Sequence, residues 1–225
     1  KKKIESFINK IKNFVLDNKI FFLFVIVNVI YDMVLRGITF GKLDNLFSIV
    51  PILSSVALVT LVLSFVYLFK KEFSKKLYMI TITVFLTLLC IINSSYYNYF
   101  SSYTSISQLV TTKYLGEVKD SLITVVKLRD FIYLVLPTIL IVYILKTKYK
   151  FSNTKSFKSF LKVNNLTVLC TILFMLNLRP VDYSRLVKQW NRIYLVEKFG
   201  LYVYHVNDVF QSVEPKLIAI FGYDK

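Results

Sequence analysis

Five apolar runs, at residues 20–35, 46–69, 77–93, 131–145 and 166–178, alternate with polar segments along the whole chain. Each run predicts a helix. A bilayer core of about 30 Å takes about 20 apolar residues to cross. Only the run at 46–69 reaches that length comfortably. The first, fourth and fifth must borrow flanking residues or thin the bilayer locally, and Leu166–Leu178 is the shortest. The pattern therefore predicts an all-α membrane protein, a five-transmembrane-helix bundle. The expected divisions are a basic segment at 1–19, the spans at 20–178 and an amphipathic segment at 179–225.

Polar residues inside the runs are few. Asp32 is the only acid within a span, and Arg36 follows four residues later on the same helical face. Such a pair reads either as a helix-end ion pair that snorkels to the interface or as a polar group that helps to hold a lipid headgroup. The loop 37–45 is short and predicts an antiparallel hairpin of the first two spans. Pro51 falls in the first turns of the second span, where it costs least, and Pro137 should kink the fourth. Thr81, Thr83 and Thr87 lean toward one side of the third span and can bond their own helix or a neighbour.

Two segments outside the runs are amphipathic. Residues 93–100 hold Tyr96, Tyr97, Tyr99 and Phe100, a density suited to the headgroup belt. Beyond them, Ile106, Leu109 and Val110, then Val118, Leu122, Val125 and Val126, recur at helical spacing on either side of Gly116. They predict two short interfacial helices at about 104–128. In the tail, Leu186, Trp190 and Ile193 fall near one face and Arg185, Lys188 and Arg192 on another. That pattern fits a helix at the interface or a linker helix packed on protein. Leu217–Phe221 is too short to span.

Charge supplies the orientation. The net charge is +16, and segments 1–19, 70–76 and 145–165 hold more than half of the 29 bases, the last without an acid. These segments alternate with the mixed segments 36–45, 93–130 and 177–225, which is the positive-inside signature. It predicts a cell-membrane protein with the N-terminus cytoplasmic, the C-terminus extracellular and the amphipathic helices on the outer face. A nucleic-acid binder would gather its bases on one soluble face, whereas these flank hydrocarbon-length runs. Hydrophobic residues make up 56% of the chain and mean hydropathy is +0.58.

Catalytic chemistry is not apparent. The chain has one histidine, His205, and two cysteines, Cys90 and Cys170, both inside spans and without a CxxC partner. No HExxH, phosphate-binding loop or nucleophile set is present, so no residue is nominated as catalytic or as a metal ligand. The candidates for headgroup or interface contact are Tyr96, Tyr97, Tyr99, Lys113, Arg129, Arg179, Trp190 and Arg192, with Asp32 and Arg36 as intramembrane polar groups. Guanidinium groups suit a headgroup phosphate through bidentate contacts. A chain that starts Lys-Lys-Lys and stops at Tyr223-Asp224-Lys225 is expected to be a piece of a longer protein.

Three stretches carry a resemblance to a known family. Asn93–Ser101 resembles an N-x-x-Y-Y-x-F-F stretch after the third span, with Tyr96, Tyr97, Tyr99 and Phe100 in place. Leu115–Leu122 resembles a G-x-x-x-D-S segment, followed by Lys127-Leu128-Arg129-Asp130. Asn191–Leu201, with Tyr204-His205, resembles a juxtamembrane R-x-x-x-V-x-x-(L/F)-G-L stretch. Together with five crossings, these are similar to the N-terminal membrane domain of the lipoteichoic acid synthase family. That family often carries Arg where this chain has Asn98.

The resemblance implies a function. Such enzymes, of Gram-positive cell walls, move glycerol phosphate from phosphatidylglycerol onto a polyglycerol-phosphate polymer built on a glycolipid anchor. An extracellular sulfatase-like domain with a Thr nucleophile and manganese does the chemistry. The implied partners of this chain are then membrane lipids, its own catalytic domain and, in an oligomer, further copies. Two alternatives come from the residues alone. One is a non-enzymatic membrane scaffold or partner subunit. The other is a small transporter, which the apolar midplanes disfavour.

Overall fold

The structure, a computed structural model, describes residues 2–105, 127–147, 156–188 and 191–221. Its described elements are helices joined by turns. They run α1 Lys2–Asp17, α2 Lys19–Phe40, α3 Leu43–Leu46, α4 Ile49–Ser64, α5 Glu72–Phe100, α6 Ile132–Lys146, α7 Ser156–Leu176, α8 Pro180–Val187, α9 Arg192–Phe199 and α10 Leu201–Phe221. Short 3₁₀ turns at Phe65–Leu68 and Leu128–Phe131 extend α4 and precede α6.

Five helical segments are long and apolar enough to cross a membrane: Lys19–Phe40, Asp44–Leu68, Glu72–Phe100, Leu128–Lys146 and Phe157–Leu176. All five expected spans are present. The shortest apolar runs are the ones the structure lengthens. Before Leu166 the fifth helix recruits Ser156–Asn165, whose polar and basic side chains cost little in a helix whose first turns lie near the headgroups. The chain spends its ends efficiently. Gly41 closes α2 in the left-handed region (φ 65°), donating its N–H to Gly37 O at 3.0 Å, as a helix C-terminus requires. Pro51 lies within the first three residues of α4, where no backbone donor is lost.

The first spanning helix is the hub. α2 packs against α4, α5 and α6, and α7 lies along α4. Buried residues fall from 61% of the first spanning window to 22% of the fifth, so α7 turns most of its surface outward. That outer surface is apolar, with Val168, Leu169, Ile172 and Met175 all exposed, as lipid contact demands. On α5, Thr83 and Thr87 face the bundle while Thr81 is exposed, so the three hydroxyls do not share one side.

The tail departs most from an interfacial strip. Leu195, Val196, Phe199, Leu201, Tyr202 and Tyr204 belong to the same buried core as α2. α9 and α10 both pack on α4. Between them Gly200, at φ 83°, forms the tip of a helical hairpin that enters the bundle from the end opposite Lys70–Lys76. Of the two forms the tail pattern fits, a helix packed on protein describes residues 192–208. The interfacial helices expected at about 104–128 lie almost wholly outside the described residues.

Candidate functional site

The hairpin tip rests on Asp32, the one acid of the first span. Asp32 accepts the backbone N–H of Leu201 through Oδ1 at 2.8 Å. Its Oδ2 accepts Ser55 Oγ at 2.8 Å and Arg36 Nε at 3.2 Å. Asp32 thus caps α10 from another helix, an acid at a helix N-terminus. Arg36 also donates to Asn45 O within α3. Both side chains of the pair are 0% exposed. The expected snorkelling is therefore corrected. Asp32 sits roughly two turns inside the end of α2, and three donors from α2, α4 and α10 hold its charge there. Gly200 is required at the tip. A Cβ on it would meet Ser55 Oγ at 3.0 Å and Asp32 Oδ2 and Pro51 O at 3.3 Å, and its φ and ψ of 83° and 160° lie in a region open essentially to glycine.

Above the tip, α10 is stitched to α2 and α5 by polar groups. Tyr202 OH donates to Asn28 O at 2.8 Å and lies 3.7 Å from Cys90 Sγ. Asn28 Nδ2 in turn donates to Thr83 Oγ1 at 3.1 Å. One turn farther, Asn93 Oδ1 accepts Thr104 N–H and Oγ1 at 3.1 and 3.0 Å. This fixes the amide orientation. Its Nδ2 then donates to Leu89 O and to His205 Nε2, both at 2.9 Å, so His205 must accept and is neutral with its proton on Nδ1. Burial holds its pKa down at about 4, against the opposing pull of Asp208. The same stretch of chain is fastened at 103–105. Tyr103 OH meets Thr39 Oγ1 at 2.7 Å, Tyr204 OH donates to Thr104 O at 2.8 Å, and Ser105 Oγ donates to Asp208 Oδ1 at 2.7 Å.

The candidate headgroup residues gather at this end in separate groups. Arg129 is exposed and donates to Asn98 on α5. Beside it, buried Asp130 accepts Ser94 Oγ at 2.5 Å, Ser95 Oγ at 3.2 Å, Asn98 Nδ2 at 3.4 Å and Lys127 N–H at 2.9 Å. Arg179 and Asp182 form a second group at the start of α8, where Tyr194 OH also donates to Asp182. Burial would raise the Asp182 pKa, but the bonds from Tyr194 and Arg179 bring it down to about 2. Lys198 stands 3.9 Å from the same carboxylate, and the Arg185 guanidinium lies 4.8 Å from the Tyr194 ring centroid. Arg192 is half-buried, with Nη1 3.5 Å from Tyr103 O.

The aromatic residues divide. Tyr97 packs inward on Phe40 and Tyr103, with centroids at 6.2 and 5.2 Å. Tyr99 is 68% exposed, and Tyr96 rests on Phe100 at 4.4 Å. Lys113 and Trp190 lie outside the described residues. The sequence nominates none of Asp130, Asp182, Asp208, Asn93 and Gly200 as site residues, although Asn93, Asp130 and Gly200 lie within the stretches that carry the family resemblance. For Gly200 the signal was available, since glycine between two helical patterns marks a tip. Asp130 and Asp182 each have one local partner three residues earlier, Lys127 and Arg179. The partners that bury them, Ser94 and Tyr194, are remote in sequence, as Ser105 is from Asp208. Among the described residues no group of three His, Cys, Asp or Glu could hold a metal.

The comparisons with known proteins agree on one family. The model of the lipoteichoic acid synthase N-terminal domain matches residues 2–218. Lipoteichoic acid synthase of Staphylococcus aureus (strain USA300) is 30% identical over 178 residues, 77% of this chain and 26% of that protein. Lipoteichoic acid synthase 2 of Bacillus subtilis (strain 168) is 28% identical over 156 residues, 68% of this chain and 23% of that protein. The chain thus spans about a quarter of the length of these relatives. No solved structure matches. With its five membrane-crossing helices and a family match across nearly its whole length, the chain belongs to the lipoteichoic acid synthase N-terminal domain family.

Proposed function

We propose that this domain anchors an extracellular phosphoglycerol transferase and sets the position of its catalytic domain over the outer leaflet. The N-terminus is then cytoplasmic, and the α9–α10 hairpin enters from outside. The donor is phosphatidylglycerol and the product is polyglycerol phosphate on a glycolipid anchor. The observation that carries this is the seating of α10. Asp32, Asn28 and Asn93 fasten its first half to the bundle, so whatever follows it is mounted rigidly. Arg129 and Arg179, exposed at the same end, are suited to lipid phosphates. The manganese belongs to the catalytic domain, and no step is routed through a metal here.

The test has two parts. An open reading frame that continues past Lys225 into a sulfatase-like domain is expected, and a stop without one overturns the enzymatic half. In that full-length protein, joint replacement of Arg129, Arg179 and Arg192 by Ala should lower polymer synthesis at equal expression. Unchanged synthesis removes the lipid-guiding role. Accessibility of an introduced cysteine in α8 to an impermeant thiol reagent added to intact cells should place that end outside.

A further inference from the structure

We propose that α1 is an interfacial helix whose partner is an anionic phospholipid surface at the lysine-rich end of the bundle. Positions 4, 7, 8, 11, 14 and 15 of this 16-residue helix are Ile, Phe, Ile, Ile, Phe and Val. Their spacing of three and four puts them on one side of a helix. By the same spacing Lys3 and Lys10 fall along one edge of that stripe and Lys12 along the other, while Lys2, Glu5, Ser6, Asn9, Asn13, Leu16 and Asp17 occupy the remaining arc. An apolar stripe with lysines at its edges is the pattern of a helix lying in a lipid interface, the stripe in the acyl boundary and the ammonium groups at the phosphates.

The bundle fixes where this helix starts. Asn18 leaves helical geometry between α1 and α2. Its Nδ2 donates to Phe14 O at 2.8 Å, and its Oδ1 accepts Tyr67 OH at 2.7 Å. The described contacts of α1 with the bundle lie at its last turns. The Phe14 ring stands edge-on to Phe22 at 6.3 Å, and Lys162 Nζ of α7 lies 5.5 Å from the Phe14 centroid. Val15, at the end of the stripe, stays 39% exposed. The stripe therefore starts at the end of a membrane-crossing helix, where headgroups lie. Lys70, Lys71 and Lys76 in the turn after α4 and the start of α5 mark the same end as basic. Charge decides the occupant: an acidic lipid surface satisfies the stripe and its lysine borders together.

The experiment uses the whole chain in nanodiscs, with Cys90 and Cys170 replaced by Ala and a nitroxide label at Ile8→Cys or Asn13→Cys. Phosphatidylserine supplies the anionic charge, so no headgroup of the proposed transferase donor is present. In phosphatidylserine discs the label at position 8 is expected to be reached by oxygen and shielded from an aqueous nickel chelate, and the label at position 13 the reverse. Each lysine at an anionic surface favours the bound state roughly fivefold. The triple variant Lys3→Gln, Lys10→Gln, Lys12→Gln should then shift it roughly a hundredfold toward release, with the thermal midpoint of the bundle unchanged. Purely phosphatidylcholine discs should do the same. A label at position 8 shielded from both reagents would show protein or a second copy over the stripe and overturn the proposal. So would a contrast indifferent to both lipid charge and lysine replacement.

Discussion

The carboxylate of Asp32 and the backbone N–H of Leu201, 169 residues apart in the chain, meet at 2.8 Å. This bond joins the first spanning helix to the tail hairpin and has a cost when broken. Asp32→Ala would leave Arg36 buried and unpaired, which typically destabilises by about 3–5 kcal/mol. A large drop in thermal midpoint in detergent is expected. Asp32→Ala with Arg36→Met should recover part of it, because the orphaned charge is gone. A double-mutant cycle measures the recovery.

Gly200→Ala is expected to destabilise by at least about 1–3 kcal/mol, the cost of a glycine-only conformation. The added methyl group must also displace Ser55 or Asp32. Gly41→Ala, also at positive φ but with open space around it, should cost less. Thermal midpoints of the two variants, measured side by side, separate backbone strain from the close approach at the tip.

Acid should loosen the hairpin. The folded pKa of His205 is lowered to about 4 from its usual value near 6.5. The stability this depression reflects is present above about pH 6.5 and is lost as pH falls toward about 4, reaching up to about 3 kcal/mol. Structurally, a protonated Nε2 would face the donor Asn93 Nδ2. Melting the chain at pH 7.5 and pH 5 should show the loss, and His205→Gln should flatten the difference between the two.

Asp130 holds the entry to the fourth span. Asp130→Ala removes the acceptor for Ser94, Ser95, Asn98 and the Lys127 N–H together. Each buried donor left unsatisfied costs about 1–3 kcal/mol. Ser94→Ala, which removes one donor and leaves the acid its other partners, should cost less. A larger loss for Ser94→Ala than for Asp130→Ala would contradict this arrangement.

What the sequence made visible depended on range. Spans are local, so the apolar runs and the lysines between them announced five helices. Asp32 and Arg36, four residues apart, announced each other. The seat of the tail was not visible. Tyr202, Tyr204 and His205 carry apolar bodies and polar tips, the same chemistry an interfacial helix shows, and only their partners at Asn28, Thr104 and Asn93 distinguish the two. Asp130 and Asp182 were not nominated for the same reason, since Ser94 and Tyr194, which help to bury them, lie 36 and 12 residues away. The length of the fifth helix was underestimated because Ser156–Asn165 is polar enough to read as a loop.

The seating of α10 also bears on how a membrane-bound enzyme would find its substrate. Its 21 residues form a rod of roughly 30 Å, clamped in the bundle as far as Asp208 and bare at Val209, Phe210 and Val213. A flexible leash lets a globular head wander through a hemisphere, diluting it over a volume that grows with leash length. On the proposed reading, a catalytic domain carried on a clamped rod would keep one height and one compass bearing above the lipid plane. Under that proposal the search for a lipid would collapse from three dimensions to two, with diffusion left to the lipid.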